Sequence, residues 1–184
     1  MHWLNGPDRY GVIPIALHWV TAVAVVALFA AGLYMVELDY YHPWYNALPH
    51  WHRSIGLLLA MLVLLRLVVR ACSRPPEPMV EHSAFERVAA PIAHAVLYLL
   101  LLAMFASGYL LSTAEGRGIA VFNWFEVPAA TGPVDGMEDS AGEVHEWVAW
   151  SLIVLAGGHA LAALKHHFID KDRTLMRMLG RSSK

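Results

Sequence analysis

The sequence predicts an all-α integral membrane protein, a four-helix bundle forming a single membrane domain over residues 1–184, with the N and C termini cytoplasmic. Three observations carry that expectation. The chain is 58% hydrophobic and 15% charged over 184 residues, with mean hydropathy +0.47, too apolar for a water-soluble domain of this size. Four apolar runs, each long enough to cross a hydrocarbon core of about 30 Å, alternate with polar or proline-rich connectors. Basic residues are unevenly shared among those connectors, and that sets the orientation.

Residues 1–12 are short and polar, and the run from about 13 to 36 is too long for a secretory core, so it reads as a retained first span. Residues 37–50 hold several aromatics and two prolines, as suits a loop in the interfacial belt. The second span is expected at about 51–70. The connector from Ala71 to Arg87 contains SRPPEP, a helix terminator. The third span is expected at about 88–112. The longest loop, 113–141, carries an aromatic patch at Phe122, Trp124 and Phe125. The fourth span, about 144–168, leads into a basic, partly amphipathic tail.

Eleven of the 13 Lys and Arg residues fall at the N-terminal end, the second connector and the tail or the span ends beside them. The first and third loops and the helix starts adjoining them carry only Arg53 and Arg117 as basic residues, against nine carboxylates including Glu37, Asp39, Glu126 and Asp139. The positive-inside rule therefore puts both termini in the cytoplasm. A net charge of -2 argues against nucleic acid. The single cysteine, Cys72, excludes an internal disulfide, a covalent CxxCH haem site and an all-cysteine iron–sulfur cluster. Histidine, present 11 times, is the ligand type that remains.

His145 and His159 lie fourteen residues apart on the fourth span, facing within about 40° of each other and roughly 21 Å apart along the axis. In the expected topology His18 and His159 lie near the cytoplasmic surface, and His52 and His145 near the outer one. Two imidazoles facing across a bundle are the axial ligands of a b-type haem, so the depths pair His18 with His159 and His52 with His145. A lone histidine near a helix end is more often a hydrogen-bonded interfacial residue than a ligand. Four at two matched depths are harder to explain that way. Zinc would need three or four ligands per site, and a proton-relay transporter would place carboxylates in mid-span, where none occur.

The segments IALHW at His18, HWHRSIGLLLAMLVLLRLVVR at His52, AHAVLYLLL at His94, and HEWVAW through GGHALAALKHHFIDKDRTLMRML at the last pair resemble the bacterial cytochrome b561 family. That family belongs with the b-type subunits of nickel–iron hydrogenases and formate dehydrogenases. The resemblance implies two haem b groups, the outer held by His52 and His145 and the inner by His18 and His159. It also implies a multi-pass protein of the bacterial inner membrane, in contact with lipid, with the ubiquinone pool as a redox partner at the cytoplasmic side. A periplasmic small molecule, superoxide among the candidates, or a protein would be the electron donor.

Arg53, beside His52, and Arg66 are candidates for holding haem propionates, and Arg70 shares the helical face of Arg66. Gly32 and Gly56 offer close approach for a porphyrin, although close helix packing explains them equally well. His94, Lys165, His166 and His167 gather near the inner surface without an assigned iron and offer donors and proton sources for a quinone. Trp147 and Trp150 are belt residues or flank the outer haem. Two other readings stay open: the membrane anchor and electron conduit of a larger redox complex, and a histidine-lined transporter without haem.

Overall fold

The computed structural model describes residues 2–77, 79 and 82–181. Pro78 of the proline-rich connector and residues 182–184 of the basic tail lie outside them. Four long helices dominate: α1 (Val12–Met35), α2 (Ala47–Cys72), α3 (Ala84–Thr113) and α4 (Met137–Phe168), each long and apolar enough to cross a membrane. A hairpin of β1 (Ile119–Val121) and β2 (Phe125–Val127) separates α3 from α4, and a short α5 (Thr174–Met178) ends the chain. Large apolar side chains such as Val23, Met61, Leu99 and Val154 are exposed along the spans. A hydrocarbon surround accommodates that surface, and the helices satisfy their own backbone.

The helices outrun the expected spans at several ends, for local reasons that hydropathy does not register. α3 starts at Ala84 rather than 88 because Ser83 and Glu86 form a capping box. The Glu86 amide donates to Ser83 Oγ at 3.2 Å, and the Ser83 amide donates back to Glu86 Oε2 at 2.9 Å. α4 starts at Met137, after Gly136 with φ 73°, and its polar first turn carries Glu138 and Asp139 against the helix dipole. α2 begins at Ala47, inside the segment expected to be loop. The 113–141 segment is likewise not wholly irregular, since it holds the hairpin.

The chain contacts divide into two compact units. The first comprises residues 1–22, 62–98 and 154–184. Its buried residues include Leu17, Thr21, Val63 and Asp172. The N-terminal segment folds back on it: the Val12 amide donates to the His2 carbonyl at 3.0 Å, and Asn5 Nδ2 to the Ser73 carbonyl at 3.2 Å. Gly11 is required there, because a Cβ would collide with the Leu4 carbonyl group. α5 is tied down by Trp19 Nε1, which donates to the Met178 carbonyl at 2.8 Å.

The second unit comprises residues 23–61 and 99–153. It buries Ser54, Leu59, Leu101, Ser107, Val121 and Leu152. Ser54 pins the hairpin, donating from Oγ to the Ala120 carbonyl at 3.4 Å and accepting from the Phe122 amide at 3.1 Å. The hairpin turn holds Phe122 at φ 44° and Asn123 at φ 60°, the left-handed region that Asn tolerates and Phe rarely adopts.

Candidate functional site: two imidazole pairs

In the first unit α1 presents His18 toward α4, which presents His159. Their ring centroids are 6.3 Å apart with planes at 72°. Arg66, from α2, donates through Nη2 to His18 Nδ1 at 2.8 Å. Its guanidinium lies 5.3 Å over the Tyr98 ring of α3, and that of Arg70 lies 5.8 Å from the same ring. His94 packs edge-on against His159, with centroids 5.1 Å apart. Just before α1, burial raises the pKa of the Tyr10 phenol even against the opposing charges of Arg70, Arg177 and Arg66.

In the second unit α2 presents His52 and α4 presents His145, with centroids 6.4 Å apart and planes at 70°. The α3 segment Ser107–Gly108 backs His145. Ser107 Oγ donates to the Met104 carbonyl at 3.1 Å and lies 3.1 Å from His145 Nδ1. With its one proton committed to Met104, the hydroxyl accepts from Nδ1–H, which leaves Nε2 as the ring's electron-pair donor. Gly108 makes room for that ring: a Cβ would stand 2.9 Å from His145 Cε1 and 3.2 Å from Nδ1.

The donor sets fit haem. A metal bonded to one nitrogen of each ring at about 2.0–2.1 Å stands between centroids roughly 6.4 Å apart, close to both observed separations. Neither pair has a carboxylate or thiolate beside it among the interactions described, so the ligand-type side chains there are all imidazoles: two at His52 and His145 and, with His94 beside His159, three at the other pair. Two imidazoles suit a bis-histidine haem iron and fall short of a zinc site, and the three at the inner pair are not among the described groups whose ligand atoms converge closely enough to hold a metal ion by themselves. The buried His52 Nδ1 also has no hydrogen-bond partner among the described residues. Leaving an imidazole nitrogen in that state is costly, and a group from outside the chain bonded at Nδ1 itself would remove the cost.

The two pairs are not equivalent. An imidazole that gives Nε2 to iron keeps its proton on Nδ1, and Arg66 has only donors. Its bond to His18 Nδ1 is therefore incompatible with ligation through Nε2. A haem carboxylate would be the acceptor to which a guanidinium held on Tyr98 turns. No such conflict exists at His145, whose Nδ1 partner is an acceptor.

The remaining residues singled out in the sequence are dispersed. Arg53 is exposed and donates from Nε to the Pro49 carbonyl at 3.2 Å. His94 lies beside His159, whereas Lys165 bridges Glu86 at 2.8 Å and Asp170 at 2.6 Å. His166 Nδ1 bonds Asp172 Oδ2 at 2.7 Å, and the His167 ring stacks edge-on with Phe168 at 4.7 Å. A Cβ at Gly32 would stand 3.6 Å from His52 Cε1, an ordinary contact, and one at Gly56 would meet nothing within 4 Å. Trp150 packs on Phe29 at 5.0 Å, and Trp147 is exposed.

Sequence reasoning missed Ser107 and Gly108, Tyr98, Tyr10, and the His82–Asp172 pair. The Ser–Gly step inside an apolar helix was the available signal for the first two. Small residues at spans more often serve helix packing, so the signal is weak.

A family model described as prokaryotic cytochrome b561 matches residues 9–181. The chain is 51% identical over 183 residues to cytochrome b561 homolog 2 of Escherichia coli K12, covering 100% of this chain and 97% of that protein. It is 30% identical to cytochrome b561 homolog 1 of the same organism, over 95% of this chain and 98% of the relative. It is also 27% identical to a protein of Yersinia pestis named probable superoxide oxidase CybB, over 93% and 96% of the two chains.

Proposed function

The chain belongs to the prokaryotic cytochrome b561 family of membrane cytochromes, and on that premise we propose that it is a di-haem b cytochrome of the bacterial inner membrane. In this reading it carries electrons between a periplasmic donor and the ubiquinone pool, with both termini cytoplasmic. The observation that carries the reading is the matched spacing of the two imidazole pairs, 6.3 Å for His18 and His159 and 6.4 Å for His52 and His145. Haem iron held by two imidazoles lacks an open position and exchanges electrons without binding oxygen as substrate.

The chain's own residues divide the work. α4 supplies one imidazole to each pair, α2 completes the outer site and α1 the inner. Ser107 and Gly108 hold the His145 ring in one tautomer and one orientation. Arg66 is the propionate partner at the inner site. Exposed Arg53 is the cation nearest in sequence to the outer ligands and serves either a propionate or an incoming anion. His94, in contact with His159, offers a hydrogen-bond donor to a quinone carbonyl at the inner side. Lys165, His166 and His167 follow as donors or proton sources toward the cytoplasm.

Superoxide is the small-molecule donor this reading favours, by analogy with the name of the Yersinia relative. The test is optical. Superoxide supplied to the oxidised, purified protein should reduce the haem absorption bands, and added short-chain ubiquinone should reoxidise them. Reduced haem that ubiquinone leaves unchanged for minutes would refute the quinone arm. The conduit reading draws on Tyr40, Tyr41 and Trp124, which are 73%, 91% and 73% exposed. Co-purification of a periplasmic redox subunit, with no response to superoxide, would favour it.

A further inference from the structure

A second cluster of ligand-type side chains lies in the first unit, separate from the imidazole pair there. It surrounds a cavity of about 450 Å³ lined by His82, Glu86, Lys165, His166, Asp170 and Asp172. His166 Nδ1 is 2.7 Å and His82 Nε2 is 3.4 Å from the same oxygen, Asp172 Oδ2. One ligand atom from each of the three residues lies within 4.8 Å of the others. Their side chains are largely withdrawn from solvent, at 15% for His82, 13% for His166 and 2% for Asp172.

A capping role accounts for part of this arrangement. Asp172 Oδ1 accepts the Thr174 amide at 2.8 Å and so starts α5. His82 Nε2 also lies 3.1 Å from Thr174 Oγ1 and His166 Nδ1 3.0 Å from Asp170 Oδ2, yet capping does not call for two imidazoles beside the other oxygen with ring centroids 4.9 Å apart. We propose that His82, His166 and Asp172 form a binding site for a divalent transition cation, zinc being the best match. Two imidazoles and a carboxylate with one position left to water is a common zinc donor set. With bonds of about 2.0–2.1 Å, a tetrahedral zinc keeps its ligand atoms about 3.3 Å apart. The His82–Asp172 separation is already close to that value, and the His166–Asp172 contact opens by roughly 0.6 Å.

Two further features support the site. The Thr174 amide orients the Asp172 carboxylate from behind, as outer hydrogen bonds do at metal centres. Three carboxylates, Glu86, Asp170 and Asp172, line the cavity against the single ammonium of Lys165, which Glu86 and Asp170 already hold. The excess negative charge suits a dication. The cation would join the second connector, the end of α4 and the start of α5, and while bound it would take His166 out of the proton route, which then rests on His94, Lys165 and His167.

The test titrates Zn²⁺ into the haem-loaded protein, purified without a histidine tag and stripped by EDTA, against a chromophoric zinc chelator. The proposal expects one competing site per chain. It expects His82→Ala to weaken that site at least about tenfold, and Asp172→Asn to weaken it likewise. His42→Ala, in a loop elsewhere, should leave it unchanged. Zn²⁺ should also raise the thermal midpoint of the wild type and not that of His82→Ala. Equal zinc affinity in wild type and His82→Ala, or no competing site in the wild type, would overturn the assignment. Because zinc binding is read without electron transfer, either result stands apart from the fate of the cytochrome reading.

Discussion

Gly108→Ala isolates the packing that seats His145. The added methyl carbon would stand 2.9 Å from Cε1 and 3.2 Å from Nδ1 of the imidazole, so ring or helix has to move by about half an ångström to reach ordinary contact. Overpacking of this kind costs about 1–3 kcal/mol, more than the roughly 1 kcal/mol of helix propensity gained in replacing Gly by Ala. In the proposed di-haem reading the displaced group is an iron ligand, so the strain would appear in the centre itself. The expected result is a changed low-spin ferric EPR signal and lowered haem occupancy at the outer site, with the inner signal unaltered. Two other glycines calibrate the effect. A Cβ at Gly32 would meet His52 Cε1 at 3.6 Å, and one at Gly56 would meet nothing within 4 Å. Gly32→Ala should perturb the signal little, and Gly56→Ala should leave it alone while stabilising α2 by up to about 1 kcal/mol. An unchanged EPR spectrum and full haem content in Gly108→Ala would refute the reasoning.

Ser107→Ala removes the acceptor of the His145 Nδ1 proton, makes the ligand less electron-rich, and should raise the reduction potential of the outer centre in a redox titration; an unmoved potential would argue against the hydrogen bond. Arg66→Gln takes a fixed positive charge from the inner site and should lower the potential of that centre alone. The Asp172 carboxyl is raised by burial, but bonds from the Thr174 amide and hydroxyl and from His166 outweigh this and hold its pKa below the usual carboxylate value. Such a group contributes stability that is full above its unfolded pKa of about 3.9 and lost as pH falls through the lower folded value. Hydrogen exchange at the α5 amides, corrected for intrinsic rates, should therefore quicken below about pH 4 in the wild type, and Asp172→Asn should flatten that dependence.

The four helices were legible because hydrocarbon imposes long apolar runs, and their ends were not, because capping lies in polar residues such as Ser83 and Glu86 that hydropathy reads as loop. The structure brings together the same histidines that depth alone pairs, since helix direction and residue number determine height in an up-and-down bundle. What surrounds the imidazoles was less legible. Ser107 and Gly108 lie about forty residues before His145, and only the approach of α3 to α4 brings them to its ring. Arg66 was visible as a cation, but its bond to His18 Nδ1 depends on how α1 faces α2. His94, Lys165, His166 and His167 share a sequence neighbourhood or a depth. They nonetheless fall into separate settings, because the acids Glu86, Asp170 and Asp172 claim two of them.

The pairing of histidines around two haems is the central claim, and a pyridine haemochrome count tests it most directly. The account predicts two haems per chain in the wild type and about one in each of His145→Ala and His159→Ala, with the remaining spectrum differing between the two variants. Retention of both haems in either variant would contradict it.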